Sequence, residues 1–210
     1  AARLRKGTCS VGARELVGCK EVLPVWNEHV ITSDIISETP SGAPMNPHWR
    51  SFLESTEGVF DGDSNELINF GDAAGELQSA TRQTVVVPLA HFGLIEVTGE
   101  DGKAFLHSQL TNDVNHLLAN QAQHAGWCNA KGRMQASFLV WRSEDSYFLA
   151  LAADLQEATQ KRLQMFVLRS KVKLTSLTDS AVLLGLSGPQ AAEALADADL
   201  PCPAESMTTA

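Results

Sequence analysis

Several things are scarce in this sequence, and each scarcity removes a class of function. Four cysteines, Cys9, Cys19, Cys128 and Cys202, are scattered through 210 residues. No C-x-x-C pair and no histidine-bearing zinc spacing joins them, so neither a disulfide scaffold nor a metal ribbon is expected. A reducing cytoplasm is the expected compartment. No apolar run approaches the roughly 18 residues that a membrane-spanning helix needs, and no membrane partner is expected. Basic residues stand at Arg3, Arg5 and Lys6, but Gly7 to Gly18 lacks the continuous apolar stretch of a secretory signal. Cations are also in deficit. The formal net charge is -9, which disfavours generic nucleic-acid binding, because that binding draws its affinity from cations neutralising phosphates. No G-x-S-x-G and no glycine-rich phosphate loop is present, and the six histidines show no metal-ligand spacing. Hydrolase, nucleotide-binding and metal-centre readings therefore lack support.

What is present divides at about residue 44. Residues 1–44 hold five Lys/Arg and five Asp/Glu, show no sustained period, and close on T-P-S-G-A-P, which reads as linker. They are expected to be a disordered or non-native extension, with the native chain starting at Met45 and the domain running over 45–210. A short helix is predicted from Pro47. An irregular acidic segment over 57–72 follows. Within it Asp61, Asp63 and Asn65 are spaced like the start of a calcium loop, but the glycine and distal glutamate of that loop are missing, and a solvated turn is expected.

From residue 85 the pattern is regular. Val85–Leu89 and Leu94–Thr98 are rich in β-branched residues and read as strands. Asp101–Leu110 is helical in period, with Thr98 and Asp101 spaced like a capping box. His124–Asn129 and Met134–Trp141 are apolar runs joined by A-K-G-R, whose Gly132 can take the positive φ of a tight hairpin. Ser146–Leu151 is a further strand. Asp154 reads as the N-cap of an amphipathic helix presenting Leu155, Thr159, Leu163 and Phe166. Lys171–Leu177 and Val182–Ser187 read as strands, and G-P-Q-A-A-E-A-L opens a last helix. Mixed strands and helices with hairpins imply an α+β fold, a mostly antiparallel sheet with packed helices.

Three features could carry chemistry, and the residues leave each open. In F-L-H-S-Q-L-T-N-D-V, Thr111, Asn112 and Asp113 either cap and shape a turn or line a pocket where an amide and a carboxylate read the edge of a heterocycle. Arg169, Lys171 and Lys173 alternate, so on a strand they would make one cationic face, fit for an anion or for guarding a sheet edge. Cys128 lies near the cations Lys131 and Arg133, which would activate a thiol, yet a buried inert cysteine fits equally.

Four separated segments, L-I-E-V-T-G-E-D-G-K-A-F-L-H-S-Q-L-T-N-D-V, C-N-A-K-G-R-M, F-V-L-R-S-K-V and L-L-G-L-S-G-P-Q-A-A, resemble in order and spacing the YgfZ family of folate-binding proteins. That family is related to the T-protein of the glycine cleavage system, an aminomethyltransferase. The resemblance runs from about Met45 to the C-terminus. It implies the first lobe of the aminomethyltransferase fold, a pocket for tetrahydrofolate or a derivative, and a role in assembly or repair of iron-sulfur clusters that serves tRNA thiolation enzymes. By position Asn112 and Asp113 would meet the pterin or hold the loop that does, and Lys131 and Arg133 would meet the glutamate carboxylates of the folate tail. Where the transferases carry G-G-x-x-D-D-L-I-V, this chain has G-R-M-Q-A-S-F-L-V, with Ala136 and Ser137 in place of the two acids. Neither side chain is charged, so neither stabilises the cation that aminomethyl transfer develops, and no catalytic residue is assigned. The family's K-G-C-Y-T-G-Q-E is absent, which implies a C-terminally truncated member. A true aminomethyltransferase and a non-binding fragment are the alternatives.

Overall fold

A computed structural model describes residues 46–62, 66–119 and 121–209. The expected extension over 1–44, and Asp63 and Asn65 of the calcium-like fragment, lie outside the described residues. The chain divides into two compact units. The fold is α+β, and every strand pair among the described residues is antiparallel.

The first unit takes its described residues from 46–62, 66–89 and 182–206. Helix α1 (Pro47–Ser55) starts where the sequence predicts. Asn46 accepts hydrogen bonds from the backbone N–H groups of His48 and Trp49, and Pro47 occupies the first turn, where its missing donor costs nothing. The acidic segment after it is more ordered than its composition implied: β1 (Val59–Phe60) pairs with β2 (Leu67–Asn69). A helix that the sequence did not announce, α2 (Ala73–Arg82), follows, capped by Asp72, whose carboxylate accepts from Gly75 N–H at 3.0 Å. Strand β3 (Val85–Pro88) pairs with β9 (Leu184–Ser187). Helix α5 (Ala191–Asp197) begins two residues beyond the expected Pro189.

The second unit, residues 90–181 and 207–209, is built on a five-stranded sheet in the order β5-β6-β7-β4-β8. Its strands are β4 (Phe92–Thr98), β5 (Ala122–Cys128), β6 (Met134–Ser143), β7 (Ser146–Ala152) and β8 (Lys173–Ser176). Helices α3 (Gly102–Gln109) and α4 (Ala153–Val167) belong to the same unit. One sheet face presents Ile95, Val97, Trp127, Ala136, Phe138, Val140 and Leu149 to a core shared with Phe105 and Leu106 of α3 and Leu163 of α4. Each large apolar side chain among them, fully buried, contributes about 1.5–3 kcal/mol. The opposite face is also apolar: Leu94, Leu139, Trp141, Phe148 and Ala150 are buried, and the Trp141 and Phe148 rings stack at 5.3 Å.

Three expectations fail here for local reasons. The capping box of Thr98 and Asp101 does not form: Thr98 ends β4, and Asp101 is itself the N-cap of α3, where it makes no capping bond and its carboxylate accepts instead from Lys171 N–H at 2.7 Å. Helix α4 starts at Ala153 with Ala152 as its cap, so Asp154 lies inside the first turn, where its charge still favours the helix dipole. Of the expected apolar face Thr159 and Leu163 are buried, with Gln156, while Leu155 and Phe166 remain partly exposed. Finally, β8 begins only at Lys173. Leu168 turns the chain at φ 45°, so Arg169 and Lys171 are not strand residues and the cationic row does not form. Lys171 pairs with Glu100 at 2.6 Å.

Candidate functional site

Helix α3 ends at Leu110, whose backbone turns extended and bridges Trp127 on the outer edge of β5. Thr111 continues the contact: its N–H donates to the Gly126 carbonyl at 2.9 Å, and its hydroxyl accepts from Gly126 N–H at 2.8 Å. The hydroxyl thus stands in for a backbone acceptor. Farther along this edge, Ala122 N–H donates to the Met207 carbonyl at 2.8 Å. An edge strand that would otherwise offer unpaired groups is covered, and the loop after α3 is fixed to the sheet.

Asn112 and Asp113 project from this fixed loop and are exposed. The Asn112 amide donates to the His124 carbonyl at 2.9 Å, and its oxygen accepts from Asp113 N–H at 2.9 Å. An amide offers two N–H donors and two lone pairs, so one of each remains for a ligand. Asp113 Oδ1 accepts from Asn115 N–H at 2.8 Å, and Oδ2 lies 2.5 Å from Nδ1 of His116. His107, on the last turn of α3, approaches Oδ1 with its Nδ1 at 3.2 Å. The bond from His116, then that from the Asn115 backbone, hold the Asp113 carboxyl below its ordinary carboxylate value. Next in the chain, Val114 is completely buried in the core, which pins the polar pair from the other side.

Lys131 and Arg133 occupy the tip of the β5–β6 hairpin, as the sequence predicts. Gly132 has φ 73°, and its N–H donates to the Asn129 carbonyl at 2.9 Å, a three-residue loop with glycine in the left-handed position. Asn129 organises this turn. Its side-chain oxygen accepts from both Lys131 N–H at 2.9 Å and Arg133 N–H at 3.1 Å. Both cations are exposed. The structure therefore brings the four residues together as two pairs. Five residue steps lead from His124, beside Asn112, to Asn129, and at about 3.3 Å per step the pairs stand about 17 Å apart along β5.

Cys128, half-buried at the end of β5, is a free thiol. Ala136 pairs with Trp127 and is buried in the core, whereas Ser137 pairs with Gly126 and is exposed. Between Trp127 and Cys128 the register shifts, and Gln135 is the extra residue; its oxygen accepts from Arg162 of α4 at 3.1 Å. Sequence reasoning missed Thr111, Asn129 and the two histidines around Asp113. For Asn129 a signal exists, an asparagine three residues before a turn glycine. For His107 and His116 none does, because they meet only where the helix gives out.

Residues 59–207 match the family described as GCVT N-terminal domain. The tRNA-modifying protein YgfZ of Vibrio vulnificus strain YJ016 is 33% identical over 119 residues, 57% of this chain and 36% of that protein. The protein of the same name from Photobacterium profundum is 32% identical over 124 residues, 59% of this chain and 37% of that protein. This chain thus spans little more than a third of the length of the curated relatives it matches. Among solved structures, glycine cleavage system aminomethyltransferase T from Bartonella henselae shares the fold with a TM-score of 0.67 at 23% identity, covering 78% of this chain and 46% of that one. The chain belongs to the GCVT N-terminal domain family.

Proposed function

We propose that this chain is a folate-binding domain of YgfZ type, comprising residues 45–210, which takes tetrahydrofolate or a derivative in the cytoplasm. Through it the protein supports assembly or repair of iron-sulfur clusters, and thereby the enzymes that thiolate tRNA. The observation that carries the reading is the loop at Asn112 and Asp113. It is tied to β5 by Thr111 and to the core by Val114, yet its amide and carboxylate face outward. A pterin edge carries both N–H donors and ring-nitrogen acceptors, and this pair offers the complementary set. Lys131 and Arg133, about 17 Å along the strand, suit the carboxylates at the other end of the same molecule. When bound, the folate supplies one-carbon chemistry; the chain's own residues bind and orient it.

Calorimetry with tetrahydrofolate under anaerobic conditions tests the reading. Heat with the wild type, abolished by Asp113→Ala and weakened by the pair Lys131→Ala and Arg133→Ala, is expected. No heat either with this chain or with a chain as long as its relatives would overturn it; heat with the longer chain alone would make this one a non-binding part. The aminomethyltransferase reading is disfavoured by Ala136 and Ser137, which bring no carboxylate to the sheet.

A further inference from the structure

Asp113 is held by two imidazoles that the folate reading leaves without a task. His107 reaches it from α3 and His116 from the turn beyond the loop, and each presents Nδ1 to a different carboxylate oxygen, at 3.2 Å and 2.5 Å. Asn115 N–H donates to Oδ1 at 2.8 Å, and of the two imidazoles that of His116 is the hydrogen-bonded one, while His107 lies against Oδ1 as a neighbouring charge. A carboxylate has about four lone-pair positions, so beside the bonds from His116 and Asn115 room for ligand donors is left. From β5 the neighbours are Gln123, which is uncharged and donates to the Asp113 carbonyl at 3.1 Å, and His124, whose carbonyl accepts from Asn112. The charges that act on Asp113 are those of His116 and His107.

Because Nδ1 faces the carboxylate, a neutral ring holds its single proton there. Protonation then adds a proton at Nε2 and turns each contact into a charge-assisted ion pair, shorter and stronger than the neutral bond. We propose that His107 and His116 are positioning residues for Asp113: when neutral they leave its carboxylate able to take the N–H groups of a pterin, and when protonated they hold it back. This rests on the folate reading and adds regulation to it, with binding weakening as pH falls.

The test is anaerobic calorimetry of the whole chain with tetrahydrofolate from about pH 7.5 down to about pH 5.5, comparing the wild type, the double variant H107Q/H116Q and H48Q, at an exposed histidine of the first unit. The wild-type Kd is expected to rise about fivefold or more, as a charge-assisted competitor replaces a neutral one. The double variant, which retains neutral donors and reports any titration of the folate itself, is expected to change less than about twofold, and H48Q to follow the wild type. A double variant with the wild-type slope, or a wild type without one, overturns the proposal while leaving folate binding intact. Absence of heat from every protein removes the folate reading instead, and amide spectra then decide on the clamp alone. The Asp113 and Asn115 amide signals step over the same pH range in the wild type and not in the double variant; no step in the wild type overturns the clamp. Circular dichroism melts verify that the variants fold.

Discussion

Replacing Gly93 by alanine should destabilise the second unit far more than one methyl group suggests. Gly93 is a buried residue of β4, and a Cβ there would stand 2.0 Å from Oε1 of Gln156, 2.8 Å from its Cδ and 3.1 Å from its Cβ. The amide of Gln156 would have to leave. It is buried, at 5% exposure, and fully used: Nε2 donates to the Ser176 hydroxyl at 2.6 Å and to the Leu94 carbonyl at 3.2 Å, while Oε1 accepts from Thr178 at 3.0 Å. Leu94 keeps a bond from Leu177 N–H and Thr178 keeps Ser176, so the loss falls on the amide itself. Stranding it costs about 1–3 kcal/mol, and overpacking the α4–β4 contact about 1–3 kcal/mol more. A total of about 3 kcal/mol corresponds to a fall in Tm of about 6–12 °C for a chain of this size. Thermal melts followed by circular dichroism read this directly. Gln156→Ala removes Oε1 and Cδ, so the double variant should lose about 1–2 kcal/mol less than the sum of the singles. A Gly93→Ala melt within about 2 °C of wild type, or strict additivity, would refute the reasoning.

Two further outcomes follow from the site. Asn129→Ala removes the acceptor that both Lys131 and Arg133 N–H groups use; it should cost about 1 kcal/mol in denaturant melts and weaken tetrahydrofolate binding more than it lowers Tm, whereas unchanged binding would detach the hairpin tip from the site. Asp113 has a folded value below the ordinary carboxylate value, so its contribution is complete above about pH 4 and lost as pH falls through the lowered folded value. The Tm gap between wild type and Asp113→Asn should therefore narrow as pH falls below about 4; a gap that widens below that pH has the wrong sign.

What the sequence made legible was what neighbours decide. The A-K-G-R hairpin could be read because Gly132 must adopt positive φ within four residues, and β4 through β7 because apolar runs and β-branching are local signals. Helix α2 could not be read, since no residue in it is buried and so no apolar stripe marks it. The pairing of β1 with β2 involves strands too short for a period. The cationic row over Arg169 to Lys173 looked like a strand face because alternation says nothing of Asp101, seventy residues earlier, which captures Lys171 N–H and ends the turn after α4. Most of the site shows the same division. Asn112 and Asp113 were visible as polar residues after a helix, but the bonds that fix them come from His124 and His116, with His107 close by, and only the folded chain assembles those.

The two positions where the transferases carry acids are not equivalent once the sheet is formed. Ala136 and Ser137 are adjacent in β6 and so face opposite ways. Ala136 is 3% exposed and packs with Trp127 and Phe138 in the core, while Ser137 is exposed and paired with Gly126, the residue that Thr111 grips. A carboxylate at 136 would sit in an apolar core with no cation beside it, and would be protonated or would disrupt the packing. One at 137 would stand in water, on the strand register next to the loop of Asn112. Ala136→Asp should therefore lower stability by about 3 kcal/mol or more, and Ser137→Asp by less than about 0.5 kcal/mol. Denaturant melts of the two variants separate these outcomes, and similar losses would mean that the alternation of β6 has been misassigned. If they differ as expected, only position 137 can offer a charge to a developing cation. A gain of aminomethyl transfer should then be sought in Ser137→Asp alone, with the Asn112 and Asp113 loop left intact beside it.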